Sequence, residues 1–257
     1  MAQLGNARLK LERAKHHIND IERQWASFRR SGRGVIIMDN PQTGYRGVFV
    51  ESDETLQRSI GLSIGDAVHN LHSALDHIIW ALVSPHNPPT PERVQFPFAT
   101  SPNGLVGSIA NRQVQLAGPE LVKAVNEVEP YPGGKGDDLV LLHNLDILDK
   151  HRVISATLCA LTINMLDLRR LDPSAPPIIF SGMTWIGGPI ISWPTPKFAN
   201  RHERRSRGIA KSGQHVDATL DIIFGKGQPF ADGRIVPTLV KLAKKVGETI
   251  ERFEAIA

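Results

Sequence analysis

Six apolar residues, Ile64, Val68, Leu71, Leu75, Ile78 and Leu82, recur at alternating steps of four and three. Residues so spaced share a face only on an α-helix. The spacing therefore predicts a helix from about Thr55 to Val83, ended by Pro85, Pro88, Pro89 and Pro91. With that stripe facing a core, Asp66, Asn70 and His77 fall on one flank of the opposite side of the helical wheel. His69, Asp76 and, more loosely, His72 fall on the other flank, with Ser73 and Trp80 between them. Between Ser59 and Val83 there is no Lys, Arg or Glu. A solvated helix face normally uses those long residues. A face of Asp, His, Asn and Ser makes short, fixed hydrogen bonds instead. It suits packing against another polar surface, either as a buried network that fixes two helices or as a site.

A second helix of this kind is predicted from Asp137 to about Leu168, its two leading aspartates favourable at an N-terminus. Leu141, Leu142, Leu145 and Leu148 form an apolar sector, and continuing the wheel places Asp149 and Arg152 inside it. An inward charged pair is costly unless hydrogen-bonded. His151 and Asn144 share one flank, and His143 and Lys150 another. Beyond Arg152 the run Val153–Leu161 is apolar nearly all round and reads as deep core. The two helices are expected to be neighbours, with Asn70 or His77 within reach of Asp149, His151 or Arg152.

The remaining elements are simpler. Leu4, Ala7, Leu11, Ala14, Ile18, Ile21, Trp25 and Phe28 form a heptad seam on a helix over 3–29. The seam serves either a homodimer through residues 3–29 or, as favoured here, an intramolecular bundle. Val35–Met38 and Tyr45–Glu51 flank turn residues and read as a hairpin. Ser101–Arg112 and Pro119–Val128 read as short helices. Ile178–Phe180, Ile190–Trp193 and Asp217–Phe224 read as strands, and Ile235–Ile256 as a closing helix. The expected fold class is mainly α: a helical bundle with a small β hairpin or sheet addition. It forms one domain over 1–257, with β insertions at about 33–51 and 177–224.

Composition excludes some chemistry. The lone cysteine, Cys159, rules out an intrachain disulfide and a Cys-based zinc site. The N-terminus lacks the apolar core of a signal peptide, and no run reaches the roughly 18–20 apolar residues of a membrane span. A cytoplasmic protein with no membrane partner is expected. The formal net charge of +4 permits an anionic partner without demanding one.

Two segments carry a resemblance. Gly65-Asp-Ala-Val-His-Asn-Leu-His-Ser-Ala-Leu-Asp-His77 and the later Leu142-His-Asn-Leu-Asp-Ile-Leu-Asp-Lys-His-Arg152 resemble a family of bacterial and phage proteins. Its pattern is close to Gly-Asp-x-x-His-Asn-Leu-Arg-Ser-Ala-Leu-Asp-His, with a later Asp-Lys-His-Arg. The Gln95-Phe-Pro-Phe98 loop and the Glu129-Pro-Tyr segment fit the same layout. The likeness spans roughly residues 55–155 and implies no activity by itself. Within it, Arg-Ser-Ala-Leu-Asp-His is similar to the Arg-x4-His element of HEPN domains, helical bundles that often dimerise and are often metal-independent ribonucleases. That resemblance implies acid–base chemistry at His77. The position of the family arginine is His72 here, which lacks the guanidinium fork, and Arg152 is the candidate replacement.

The expected function is thus a HEPN-like protein that acts on or binds nucleic acid, in a phage or mobile-element setting. It is either a metal-independent ribonuclease or a degenerate relative of one. His77 is the acid or base, Arg152 the phosphate partner, and Asp76, Asn70, Asp149 and His151 complete the site. RNA or another anionic ligand is the expected partner, and no cofactor or metal is expected. The basic run that contains Arg204, Arg205 and Arg207 is the candidate phosphate-binding segment, although a solvated loop fits it as well. A metal-dependent hydrolase is the first alternative, with His69, His72 and Asp76 joined by His143 or His151 across the bundle. A non-catalytic structural or interaction protein is the second. Gly133-Gly-Lys-Gly lacks the spacing of a phosphate-binding P-loop, and there is no nucleophile elbow.

Overall fold

The computed structural model describes residues 4–51, 53–177, 189–195 and 211–256. The protein is mainly α with a small β addition. In chain order the elements are α1 (Gly5–Arg30), β1 (Val35–Asn40), β2 (Tyr45–Val50), α2 (Glu54–Val83), α3 (Pro102–Asn111) and α4 (Pro119–Val128). They continue with α5 (Asp137–Asp149), β3 (Ala156–Ile163), α6 (Met165–Leu171), β4 (Ile191–Pro194), β5 (Gln214–Val216), β6 (Ala218–Phe224) and α7 (Ile235–Glu254). The described residues fall into two compact units. One lies within Met1–Glu22, Arg58–Ser155 and Phe224–Ala257, the other within Arg23–Gln57 and Ala156–Ile223.

The first unit is helical. Its core takes Leu4 and, from α1, Ala7, Leu11, Ala14, Ile18 and Ile21, each no more than 5% exposed. The heptad seam is therefore buried within a single chain. The α2 stripe is buried along its length, from Ile64 to Leu82. Leu239, Leu242, Val246, Ile250 and Phe253 of α7 are also buried, and α7 packs against α4 and α5. Ion pairs flank this apolar interior. Arg8 Nε donates to Glu254 at 2.7 Å, Lys241 Nζ to Asp138 at 3.0 Å and Arg252 to Glu127 at 3.0 Å. Such exposed pairs orient helices and contribute little stability.

The second unit is built on a four-stranded antiparallel sheet of order β4-β2-β1-β5. The hairpin pairs Val35 with Val50 and Asn40 with Tyr45. Arg46 on β2 is wholly buried. Its Nε and Nη2 donate to the Asp39 carboxylate at 2.6 and 3.0 Å, and Nη1 donates to Asp172 at 2.6 Å. Asp172 also accepts from Ser174, whose Oγ accepts from Trp193 Nε1. A buried cation is tolerated because its fork is occupied by carboxylates on both sides. Strands β3 and β6 pair as a separate two-stranded sheet.

The predicted helix over 137–168 ends at Asp149, and its second half is β3 followed by α6. The amides of His151 and Arg152 both donate to the Leu148 carbonyl, which closes a terminal turn. Val153, Ile154, Thr157, Thr162 and Ile163 beyond it are β-branched and favour extended backbone. A short apolar run cannot be assigned to helix or strand by periodicity alone. Because the helix stops, the wheel does not extend to Arg152, which is exposed rather than inward, as is His151. β5 lies within the expected β insertion at about 177–224, between the predicted strands Ile190–Trp193 and Asp217–Phe224. The predicted strand Ile178–Phe180 lies outside the described residues.

Candidate functional site

In the helical unit α2 and α5 lie side by side, joined through the flank of α2 that carries His69, His72 and Asp76. His72 is buried, and its Nε2 lies 2.8 Å from Nδ1 of His143 on α5. Its Nδ1 lies 3.5 Å from Asp76 Oδ2 and 3.6 Å from Asp146 Oδ2. Asp146, only 1% exposed, approaches His69 Nδ1 through Oδ1 at 3.2 Å. Lys150 Nζ sits 2.7 Å from its Oδ2, an ion pair in which Oδ2 has no aligned hydrogen-bond donor. His143, Asp146 and Lys150 are spaced three and four apart, so one face of α5 and the residue that caps its C-terminus supply all three.

The loop before α3 completes the site. Asp76 Oδ1 accepts from the Phe96 amide at 2.9 Å, which fixes the Gln95-Phe-Pro-Phe98 loop to α2. Phe98 lies against His143, ring centroids 4.4 Å apart and planes 16° apart. Its carbonyl accepts from Ser108 Oγ at 2.7 Å, and the next amide, of Ala99, donates to Pro130 at 3.0 Å. Further back, Gln113 holds the Thr90 amide and carbonyl with both ends of its side chain.

Burial pushes the His143 imidazole down to about 4, with the neighbouring His72 as the next cause and Lys150 and Arg112 adding to it. His72 is lowered too, by burial, against the opposing pull of Asp76 and Asp146. Both rings are neutral near pH 7, and a neutral imidazole accepts a proton.

His143 opens onto a cleft of about 790 Å³. Gly104, Gly107, Ser108 and Asn111 of α3 line it at helical spacing, and Val140, His143 and Asn144 of α5 do the same. Arg93 and Arg112 bring two cations to it. The arrangement joins a neutral acid–base pair, amide and hydroxyl groups, and positive charge around a space large enough for a small ligand or part of a polymer.

The residues named from sequence divide accordingly. Asp76 belongs to this cluster. Asn70 and His77, both half-buried, occupy the other part of the polar face. Asn70 Nδ2 donates to the Asp66 carbonyl at 2.8 Å, and Asp66 Oδ2 lies 3.7 Å from His17 Nδ1 on α1. Among the described residues neither Asn70 nor His77 is paired with Asp149, His151 or Arg152. Asp149 packs on Gly65: a Cβ there would lie 2.5 Å from both its carboxylate oxygens. Burial raises the Asp149 carboxyl, and Asp146 and Asp66 raise it further. Arg204, Arg205 and Arg207 lie outside the described residues. For the metal alternative, His72 and His143 bond to each other, and no group of three or more His, Cys, Asp or Glu is arranged to hold a metal ion among the described residues. Likewise no described helix is long and apolar enough to cross a membrane.

Asp146, Arg93 and Arg112 were not singled out in the sequence. Asp146 had a signal, since it lies three residues after His143 and four before Lys150 on one flank. The two arginines had none: Arg93 lies in a short proline-led turn, and Arg112, at the end of the helix read over Ser101–Arg112, carried no mark of the neighbour it would face. Compared with protein-family models, curated proteins and solved structures, the chain has no match.

Proposed function

We propose that the cleft between α3 and α5 is an acid–base site for a phosphate diester of RNA, with His143 as the group that moves the proton. One observation carries this reading: a neutral histidine, bonded to a second histidine at 2.8 Å, lines the same cleft as Arg93 and Arg112. A neutral imidazole can take the proton of a ribose 2′-hydroxyl. The 2′-oxygen then bonds to phosphorus, the bond to the 5′-oxygen breaks, the leaving oxygen takes a proton from water, and the hydroxide so formed takes up the proton held on His143. Guanidinium groups suit the non-bridging phosphate oxygens, whose charge grows in such a step. The likeness of the segment 72–77 to the Arg-x4-His element of HEPN domains suggests the same class of chemistry on α2. It is relocated from His77 to His143, with Arg112 and Arg93 in place of Arg152.

The test is cleavage of end-labelled single-stranded RNA in the presence of chelator. His143→Gln should cut at least about 10²-fold more slowly while keeping its fold, the size expected for a lost general base. Wild-type protein that neither binds nor cuts RNA would sink the reading and favour a structural role for the histidine pair.

A further inference from the structure

Two neutral histidines 2.8 Å apart share a single proton between the facing nitrogens, and the sharing can run either way. In one arrangement His72 Nε2 donates to His143. Its Nδ1 is then bare and faces Asp76 Oδ2 at 3.5 Å and Asp146 Oδ2 at 3.6 Å. That sets a lone pair against two carboxylates in a buried place, where such repulsion is poorly screened. In the other arrangement Nδ1 of His72 carries the proton toward the carboxylates, Nε2 accepts, and His143 Nδ1 donates.

The two carboxylates are not equivalent. Asp146 Oδ2 is partly neutralised by Lys150 Nζ at 2.7 Å, and its Oδ1 faces His69. Asp76 spends Oδ1 on the Phe96 amide, which leaves Oδ2 turned to His72. Arg112, the residue that caps the C-terminus of α3, acts on His143 by repulsion of its protonated form.

We propose that Asp76 and His72 are positioning residues. Asp76 holds the His72 proton on Nδ1, His72 in turn holds the His143 proton on Nδ1, and His143 Nε2 is left as the bare nitrogen that takes a proton. Through its other oxygen Asp76 also fixes the loop that lays Phe98 on the His143 ring, so one carboxylate sets both the tautomer and the orientation of that ring. This inference rests on the acid–base reading of the cleft but not on the identity of the substrate.

The experiment is a long-range proton–nitrogen correlation spectrum of histidine-labelled protein at pH 7.5, with ring signals assigned by His72→Gln and His143→Gln. In wild type, His143 should show Nδ1 in the protonated range and Nε2 in the unprotonated range. Asp76→Asn keeps an oxygen for the Phe96 amide but turns an N–H₂ toward His72. With Asp146 Oδ2 held in its ion pair with Lys150, His72 Nδ1 then accepts from that amide, and the His143 proton should shift to Nε2. A wild-type His143 protonated on Nε2 overturns the proposal, whatever the variant does. So does an Asp76→Asn spectrum with the wild-type tautomer. RNA cleavage is read on the same samples. The expected tautomer without cleavage upholds the positioning inference and removes the phosphodiester reading. Cleavage with the opposite tautomer does the reverse.

Discussion

Gly65 of α2 leaves the space that Asp149 of α5 fills, for a Cβ at position 65 would stand 2.5 Å from both oxygens of its carboxylate. The missing side chain is what lets α5 close on α2 and bring His143 to His72. Gly65→Ala must push the carboxylate or the helix away, and overpacking of this kind costs about 1–3 kcal/mol. Gly107→Ala is the control. Its Cβ would meet nothing within 4 Å, and alanine on an exposed helix gains roughly 0.5–1 kcal/mol over glycine. Thermal melts should move in opposite directions for the two variants.

Acid should destabilise the protein through the histidine pair. The folded His143 imidazole is pushed from 6.5 down to about 4, and His72 is lowered as well. Between these values the unfolded chain binds protons that the folded chain refuses. The histidine contribution is therefore fully present above about pH 6.5 and is lost as pH falls toward 4. Urea titrations at several pH values should show this slope. In His143→Gln the slope should be shallower, and an unchanged slope would mean that the ring is not held neutral.

Arg46 offers a test in the β-containing unit. Its guanidinium is wholly buried between Asp39 and Asp172. Arg46→Ala leaves two carboxylates without their cation, a loss of about 3–5 kcal/mol for a broken buried pair. Arg46→Lys should also be destabilised, because an ammonium cannot match the forked geometry. A chemical-denaturation midpoint unchanged in both variants would contradict the network.

If RNA phosphates lie in the cleft, Arg112→Ala should weaken binding across sequences. It should also reduce the slope of log affinity against log salt by about 1, the signature of one lost phosphate contact. Arg93→Ala should do the same independently. Fluorescence anisotropy across a salt series reads both quantities, and a lowered affinity with an unchanged slope would assign these residues to folding.

The helical frame was legible in the sequence because periodic burial leaves a periodic trace. The α1 seam and the α2 stripe each predicted a buried face, and both are buried. The absence of Lys, Arg and Glu along α2 marked a face that meets polar groups instead of bulk water. What failed was extrapolation past a helix end. Arg152 belongs to an inward sector only if α5 continues, but α5 ends at Asp149 and the chain enters β3 at Ala156. A wheel gives an azimuth, but it says nothing about where the helix ends or which neighbour stands on each flank. Tertiary structure decided that the His69, His72 and Asp76 flank faces α5, while Asp66 on the other flank faces His17. It also brought Phe98 and Arg93 to His143 through short turns and loops that carry no repeating signal, and Arg112 through the placement of α3 across the cleft from α5. Which surfaces had to be buried followed from residue type and local spacing, which set the energy of burial. Which polar groups meet was decided only by the packed fold, since that depends on distances between segments far apart in the chain.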